Sequence, residues 1–223
     1  MNAHWLYRDQ SEKLILFCNG WGMDHHPLTL LESGGHDVLV LSDYSTFELP
    51  VDIGALEAHY HEINLICWSF GVWAGSRLFA GRKGLFTRRI GVNGTLRPVD
   101  DRYGIPHQFF NGTLDHFSAS VRDRFYRRMC RFEGVHDLFL QNQPRRSLAD
   151  QKRELEKLAA MVARCEREDP FFDTVVVANR DYIVPTGHQL AFWHGRCPIA
   201  HIEGCHYPFA GWRSWAEIVA VQN

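Results

Sequence analysis

The sequence predicts an α/β fold in which a mostly parallel β-sheet carries helices on both faces. Short, continuously apolar runs alternate with segments of helical spacing, a pattern typical of a sheet that is covered on both sides. One long charged stretch, residues 98–167, interrupts the alternation and contains no strand-like run. The 223 residues suffice for one well-buried domain with such an insertion, and 45% hydrophobic residues exclude a disordered chain.

Six apolar runs are the predicted core strands, because each is short and carries no interior charge. A shorter run, 5–7, is predicted as an edge strand. The six core strands are 14–18, 38–41, 63–67, 90–92, 174–178 and 199–202.

Helical spacing occupies the segments between the strands and most of the insertion. Pro144 is predicted to separate the two main helices of the insertion. The sequence thus divides into an α/β core, 1–97 and 168–223, and a helical insertion, 98–167. The predicted helices are 28–31, 53–60, 72–79, 187–193 and 212–221 in the core, with 122–131 and 148–165 in the insertion.

Composition excludes several classes of protein. With 24 basic and 26 acidic residues the net charge is −2, which gives no indication of nucleic-acid binding. No apolar run approaches the ~18 residues of a membrane span, and the first ten residues do not form a signal peptide. The 6 cysteines include no C-x-x-C pair and are predicted to be reduced thiols of a cytoplasmic protein.

The sharpest motif is Cys67-Trp68-Ser69-Phe70-Gly71, between the strand 63–67 and the helix 72–79. A serine at a tight strand-to-helix turn is a nucleophile elbow, which projects Oγ above the carboxyl edge of the sheet. The usual pattern is G-x-S-x-G, and here Cys67 replaces the first glycine. A serine at this place also suits the N-cap of a helix, so the motif alone leaves both interpretations open.

Two further candidates follow the last two predicted strands. His206 lies in the loop after 199–202, where a catalytic base is expected, although a chain with 13 histidines also places some on surface loops. Asp181 follows 174–178 and suits the carboxylate that orients the base. Asp173 is the competitor, but it precedes the same strand and is expected at the opposite edge of the sheet.

A glycine-rich loop, residues 19–23, follows the first core strand. A backbone N–H of this loop and that of Phe70, next to the serine, are the expected donors of an oxyanion hole. A plain glycine-rich turn is the alternative. All these features lie at carboxyl ends of strands, and the order Ser69, Asp181, His206 is that of the α/β-hydrolase fold. No H-E-x-x-H or similar spacing predicts a metal site.

At these motifs the sequence resembles the pimeloyl-acyl carrier protein methyl ester esterases of biotin synthesis. The similarity is to the short form, which lacks the leading strands of longer α/β-hydrolases, and here only residues 1–11 precede the first core strand. The insertion matches in placement and arginine content. The motifs that carry the resemblance are N-G-W-G-M (19–23), C-W-S-F-G (67–71), D-Y-I-V-P (181–185) and G-C-H-Y-P-F (204–209).

The resemblance implies hydrolysis of the methyl ester of pimeloyl-acyl carrier protein, which yields pimeloyl-acyl carrier protein and methanol without a cofactor. By motif, it implies Ser69 as nucleophile, His206 as base and Asp181 as its partner. Trp21 and Phe70 are the implied oxyanion donors. The implied partner is an acyl carrier protein, and the enzyme is expected to be a cytoplasmic monomer.

The insertion carries an excess of basic charge, with twelve basic and eight acidic residues in 111–167. Because acyl carrier proteins are strongly acidic, an arginine-rich surface beside the cleft would steer and hold one. Residues 124, 127, 128 and 131 have the spacing of one helix face, which is expected to point to solvent or to a partner. A merely solvated face is the alternative. The candidates for carrier binding are Arg122, Arg124, Arg127, Arg128 and Arg131.

Other functions stay open from the residues alone. The same fold also serves general carboxylesterases and lyases that use the triad without an acyl-enzyme. From a different class, the alternative is a catalytically silent module that binds an acyl carrier protein, against which the complete triad argues.

Overall fold

Seven strands form one sheet in the part of the chain that the structure describes. The structure is a computed structural model, and it describes residues 1–163 and 170–222. The strands are β1 (Asn2–Tyr7), β2 (Lys13–Cys18), β3 (Asp37–Ser42), β4 (Glu62–Trp68), β5 (Arg88–Val92), β6 (Thr174–Ala178) and β7 (Ile199–Ile202). They lie in the order β1-β3-β2-β4-β5-β6-β7, and β1 at one edge is antiparallel to β3 while the others are parallel. The predicted fold class and strands are confirmed.

Both faces of the sheet are covered, which explains why the strands are apolar throughout. Successive side chains of a strand point to opposite faces, so Ile15 and Phe17 join one buried cluster while Leu14 and Leu16 join the other. An alternating polar pattern would leave one face to water. The apolar pattern therefore specifies a sheet between two layers of helices.

Eight α-helices lie within the described residues. None of them is long and apolar enough to span a membrane. They are α1 (Ile53–His59), α2 (Phe70–Leu78), α3 (His107–Asp115), α4 (Ala119–Met129), α5 (Val135–Gln141), α6 (Leu148–Val162), α7 (Thr186–Trp193) and α8 (Trp215–Val219).

Two of the predicted core helices differ from the structure. The prediction for 28–31 is wrong, because the segment forms only a 3-10 turn, His26–Leu28. Leu28 and Leu31 are both buried, and a turn places residues three apart on one side as a helix does. The last helix begins at Trp215 rather than at 212, because Ser214 pairs with Glu32 in a β-bridge that keeps the backbone extended.

Between β5 and β6 the described residues form four helices, α3 to α6, where the sequence predicted two. Helices α3 and α5 were not predicted, because 9 and 7 residues give only a short stretch of helical spacing. Pro144 lies between α5 and α6, as predicted. The predicted end of the last helix at Cys165 and the predicted boundary at 167 lie outside the described residues.

The elbow after β4 gives the first test of this fold. A Cβ atom at Gly71 would overlap the backbone carbonyl oxygens of Cys18 and Asn19. Because neither oxygen can move freely, we expect Gly71→Ala to lower the free energy of unfolding by about 1–3 kcal/mol. Urea unfolding measures this change.

Gly187→Ala is the matched control, because that glycine lies in a helix with nothing near its added Cβ. The control should raise stability by about 0.4–1 kcal/mol by restricting the unfolded chain. Equal stability of Gly71→Ala and wild type would contradict the close approach of helix α2 to strand β2.

Candidate active site

The turn after β4 presents Ser69 in a conformation that few residues adopt. Its φ of 58° lies in the left-handed region, and its backbone N–H donates to the carbonyl of Val92 at 2.9 Å. Ser69 stands at the N-cap position of α2, but its side chain makes no capping hydrogen bond. The Oγ atom instead lies 2.8 Å from Nε2 of His206. The strained turn therefore directs the hydroxyl to the histidine rather than to its own helix.

His206 connects the serine to a carboxylate. Its Nδ1 atom lies 2.7 Å from Oδ2 of Asp181. Because a carboxylate only accepts hydrogen bonds, Nδ1 carries the hydrogen, and Nε2 is left to accept from the serine O–H. Ser69, Asp181 and His206 are 7%, 5% and 1% exposed. The structure thus brings together three side chains from the ends of β4, β6 and β7 in one buried chain of hydrogen bonds.

Asp181 is held on both of its oxygen atoms. Oδ1 accepts from the backbone N–H groups of Ile183 and Val184, at 2.8 and 3.0 Å. Oδ2 accepts from Nε2 of Gln189 at 2.8 Å in addition to the histidine. The competitor, Asp173, forms an ion pair with Arg89 at the amino end of β6. Only Asp181 is therefore in reach of His206.

The side chains that hold the histidine loop were not predicted from the sequence. The backbone carbonyl of His206 accepts from Nδ2 of Asn93 at 3.1 Å and from Nε1 of Trp68 at 2.8 Å. Asn93 also donates to the carbonyl of Cys205, and its Oδ1 accepts from the N–H of Ala178 at the end of β6. The Asn-Gly pair after β5 signals only a turn, so the sequence carried no sign of these contacts.

The backbone N–H groups of Trp21 and Phe70 border the same space. Phe70 is the first residue of α2, where helical N–H groups have no partner inside the helix. Trp21 lies in a turn closed by the N–H of Met23 and the carbonyl of Gly20, at 3.4 Å. Within residues 1–163 and 170–222, neither N–H donates to a protein acceptor. Both therefore stay predicted donors to a negatively charged oxygen beside Ser69.

A cavity of about 370 Å³ opens over these groups. Its wall is mainly apolar, which suits a hydrocarbon chain better than a charged ligand. Phe109, Gly112 and Arg124 are both exposed and part of the lining, so the mouth lies between α3 and α4. The apolar lining residues are Trp21, Met23, Trp68, Phe70, Ile105, Phe110, Val121, Phe125, Met129, Leu155 and Ile183.

The five arginine candidates differ in their exposure and in their contacts. Arg124 and Arg127 are exposed on α4. Arg131 lies beyond the end of that helix and stacks on the ring of Tyr182 at 4.7 Å. Arg122 is partly buried and pairs with the neighbouring Asp123.

Arg128 differs most from the expectation of a solvent-directed face. Its Nε donates to the carbonyl of Tyr182, and its guanidinium lies 3.9 Å from the ring centroid of Phe109. Burial lowers the pKa of Arg128, while the charge of Asp181 raises it. Arg128 therefore packs against the wall of the cavity rather than pointing to solvent, and Arg131 lies past the end of α4 at Met129. Carrier binding by these arginines stays a prediction.

The cysteine thiols next to the triad residues are buried. Burial raises the pKa of the Cys205 thiol to about 11 and that of Cys67 well above its ordinary value. Such thiols stay protonated and unreactive at neutral pH. In the described part of the chain, a possible group of metal ligands is Asp24, His25 and His26. It lies outside the cavity lining, and Asp24 already accepts hydrogen bonds from two backbone N–H groups.

The sequence and the fold of this chain match one known protein family. The model of the family described as "Pimeloyl-ACP methyl esterase BioG" matches residues 1–218. The fold is similar to the crystal structure of BioG from Haemophilus influenzae, with a TM-score of 0.89 and 33% identity over 98% of this chain and 99% of that one. A Haemophilus influenzae protein sequence is 34% identical over 95% of this chain and 96% of its own length.

Two more distant similarities concern a part of a longer protein and the fold alone. A malonyl-[acyl-carrier protein] O-methyltransferase of Bacteroides fragilis is 29% identical over 88% of this chain, which spans 40% of that protein. An esterase from Exiguobacterium antarcticum has a TM-score of 0.62 at 12% identity over 94% of this chain and 89% of its own. At that identity the match shows the α/β-hydrolase fold.

Asn93 gives a test of how the histidine loop is held. Asn93→Ala removes the groups that pair with Cys205, His206 and Ala178, and each buried group left unpaired costs about 1–3 kcal/mol. We expect lower stability and, because the imidazole loses its fixed position, lower ester turnover.

Asn93→Gly separates strain from bonding, because Asn93 has a φ of 48°, which glycine adopts freely. It should be more stable than Asn93→Ala yet equally poor in turnover. Urea unfolding and ester hydrolysis measure both quantities. Turnover within twofold of wild type in both variants would contradict the expected positioning of His206.

Proposed function

This chain belongs to the BioG family of pimeloyl-ACP methyl esterases, and from that premise we propose that Ser69, His206 and Asp181 are its catalytic triad. The chain hydrolyses the methyl ester of pimeloyl-acyl carrier protein in biotin synthesis. The family assignment does not favour a general carboxylesterase, a lyase or a silent binding module. The observation that carries the triad is the buried hydrogen-bond chain from Asp181 through His206 to Ser69.

The first step forms an acyl-enzyme. His206 takes the proton of Ser69 as Oγ attacks the ester carbonyl carbon, and Asp181 stabilises the imidazolium that results. The carbonyl oxygen becomes an oxyanion and accepts from the N–H groups of Trp21 and Phe70. One such donor is worth roughly 3 kcal/mol in the transition state. When the intermediate collapses, His206 gives its proton to the departing methoxide, which leaves as methanol.

The second step restores the enzyme. His206 removes a proton from a water molecule, which attacks the acyl carbon, and the collapse returns the proton to Ser69. The product is the free carboxylate at the end of the pimeloyl chain. Both steps use water and groups of this chain, so no cofactor takes part. The apolar wall of the cavity suits the methylene chain of the substrate, while the carrier stays outside.

The mouth of the cavity supports a docking site for the acyl carrier protein, which is the partner of this family. We assign the docking surface to the insertion, residues 98–167, which we propose is a cap over the cavity. Arg124, Arg127 and Arg131 are exposed there and suit a strongly acidic partner. Arg128 lies at the wall of the cavity and is proposed to face the bound chain rather than the carrier. Arg122 is a weaker candidate, because it is partly buried and already pairs with Asp123.

Two finer expectations belong to this proposal. Free thiols at Cys18, Cys67, Cys130, Cys197 and Cys205 support a location in the reducing cytoplasm. The monomeric state stays a prediction.

Ser69→Ala tests the nucleophile. Because a lost nucleophile cannot be replaced by its neighbours, we expect demethylation of the carrier-bound methyl ester to fall by several orders of magnitude. Ser76→Ala is the control, since it makes the same exchange on α2 at a buried serine that bonds only to the Trp73 carbonyl. Retention of more than about a tenth of wild-type turnover by Ser69→Ala would exclude the assignment.

Charge reversal tests the docking surface. Arg127→Glu combined with Arg131→Glu changes two exposed side chains outside the cavity lining. We expect kcat/KM for the carrier-bound methyl ester to fall by about 3- to 30-fold at low salt, since each exposed ion pair contributes only about 0.2–1 kcal/mol. The loss should shrink at high salt, and turnover of a short free ester should hardly change.

Arg82→Glu with Lys83→Glu is the matched control, because it makes the same change of charge at the amino end of β5, away from the cavity. The control should leave carrier-dependent turnover near wild type. An equal loss in both double variants would mean that only net charge matters. No loss in either would show that Arg127 and Arg131 are simply solvated.

A further inference from the structure

Helix α6 holds the loop that carries the Trp21 N–H. Nε2 of Gln151 donates to the carbonyl of Gly22 at 2.8 Å, and Oε2 of Glu154 accepts from the N–H of Gly22 at 3.0 Å. The indole N–H of Trp21 donates to the backbone carbonyl of Gln151 at 2.9 Å. Gln151 and Glu154, on consecutive turns of α6, thus bond to the carbonyl and to the N–H of Gly22.

A buried charge cluster fixes that helix against the core. Glu154 is fully buried, and its Oε1 accepts from the N–H of Tyr44 at 3.0 Å, just after β3. Arg146 pairs with Glu154 and lies 3.2 Å from Asp43. Removing one partner of such a group leaves an uncompensated buried charge, so the segment around α6 cannot leave the core without a large penalty.

Gly22 is the residue of this loop whose backbone dihedral angles are least restricted. Gly22 has a φ of 74°, and glycine moves between positive and negative φ with little penalty. The other side of the loop is held by the N–H of Gly20, which donates to Oδ1 of Asn19 at 2.9 Å. Trp21 lies between these two anchors. The direction of its N–H therefore depends on Gln151 and Glu154 as much as on the core.

We propose that Gln151 and Glu154 are positioning residues for the oxyanion hole, acting through Gly22 on the Trp21 N–H. The inference rests on the proposed function, because it needs Trp21 as an oxyanion donor. It makes α6 a fixed part of the catalytic apparatus rather than a lid. Substrate then enters between α3 and α4, where the cavity is open, while α6 stays docked.

Gln151→Met tests the hydrogen bond to Gly22, because it preserves the size of the side chain and removes the donor to the Gly22 carbonyl. Tyr126→Phe is the matched control, since the same Nε2 atom also donates to the Tyr126 hydroxyl, at 2.9 Å. We expect Gln151→Met to lower kcat about 10- to 100-fold, on a short ester and on the carrier-bound methyl ester alike, because a small misplacement has that effect. KM should stay within twofold, and Tyr126→Phe should resemble wild type.

Two further readouts separate positioning from general damage. Ser69 Oγ adds reversibly to the carbonyl carbon of a trifluoromethyl ketone, and His206 takes the serine proton. The carbonyl oxygen of the inhibitor becomes an oxyanion bound in the oxyanion hole. The affinity of this inhibitor for Gln151→Met should fall by the same factor as kcat. The pH profile of kcat/KM should keep its shape, because His206 and Asp181 are untouched.

Gln151→Leu provides a second variant, should Gln151→Met fold poorly, because it also removes the donor to the Gly22 carbonyl and leaves the buried pair of Glu154 and Arg146 intact. It should show the same split between kcat and KM. Both variants are assayed well below their thermal midpoints. Wild-type kcat in either folded variant, a loss confined to KM, or an equal loss in Tyr126→Phe would overturn the inference. These outcomes leave the triad intact, whereas an active Ser69→Ala would overturn the proposed function instead.

Discussion

The close approach of helix α2 to strand β2 is the contact on which the site depends. Gly71 lies against the carbonyl oxygens of Cys18 and Asn19, where any larger residue would collide with backbone. That approach forces the turn at Ser69 into a positive φ and aims the N-terminus of the helix at the cavity. Because the loop carrying Trp21 continues from the same strand, one contact brings the hydroxyl and both proposed oxyanion donors into the same small volume.

Parallel pairing then adds the other groups from distant parts of the chain. Strands β4, β5, β6 and β7 end at one edge, so loops more than a hundred residues apart meet there. Their meeting is stabilised by buried amides, of which Asn93 and Gln189 are the clearest. A single hydrogen bond contributes little net stability, but an unpaired buried group costs about 1–3 kcal/mol. The network therefore resists partial disorder, which keeps His206 and Asp181 in place.

The α/β core and the insertion contribute different groups to the site, and hydrogen bonds connect the two. The ends of the strands supply the proposed catalytic groups, while α3 and α4 supply the mouth, the apolar wall and arginines that are proposed to bind the carrier. Helix α6 crosses this division, because Gln151 and Glu154 bond to the loop of the core that carries Trp21. Substitutions in α3 and α4 can thus change which substrate fits, whereas substitutions in α6 are also expected to change the catalytic rate.

Periodicity and strand-end motifs sufficed to predict the sheet, the turn at Ser69 and the loops of Asp181 and His206, since these signals are local. The same signals missed α3 and α5 and misjudged Arg128, whose half-buried position depends on what packs across from it. In the sequence Gln151 is one polar residue among several in a charged helix, and its partner Gly22 lies 129 residues away in the chain. Partners so distant leave no pattern in either segment, and only the folded chain, by closing that distance, pairs a cap helix with a loop of the core.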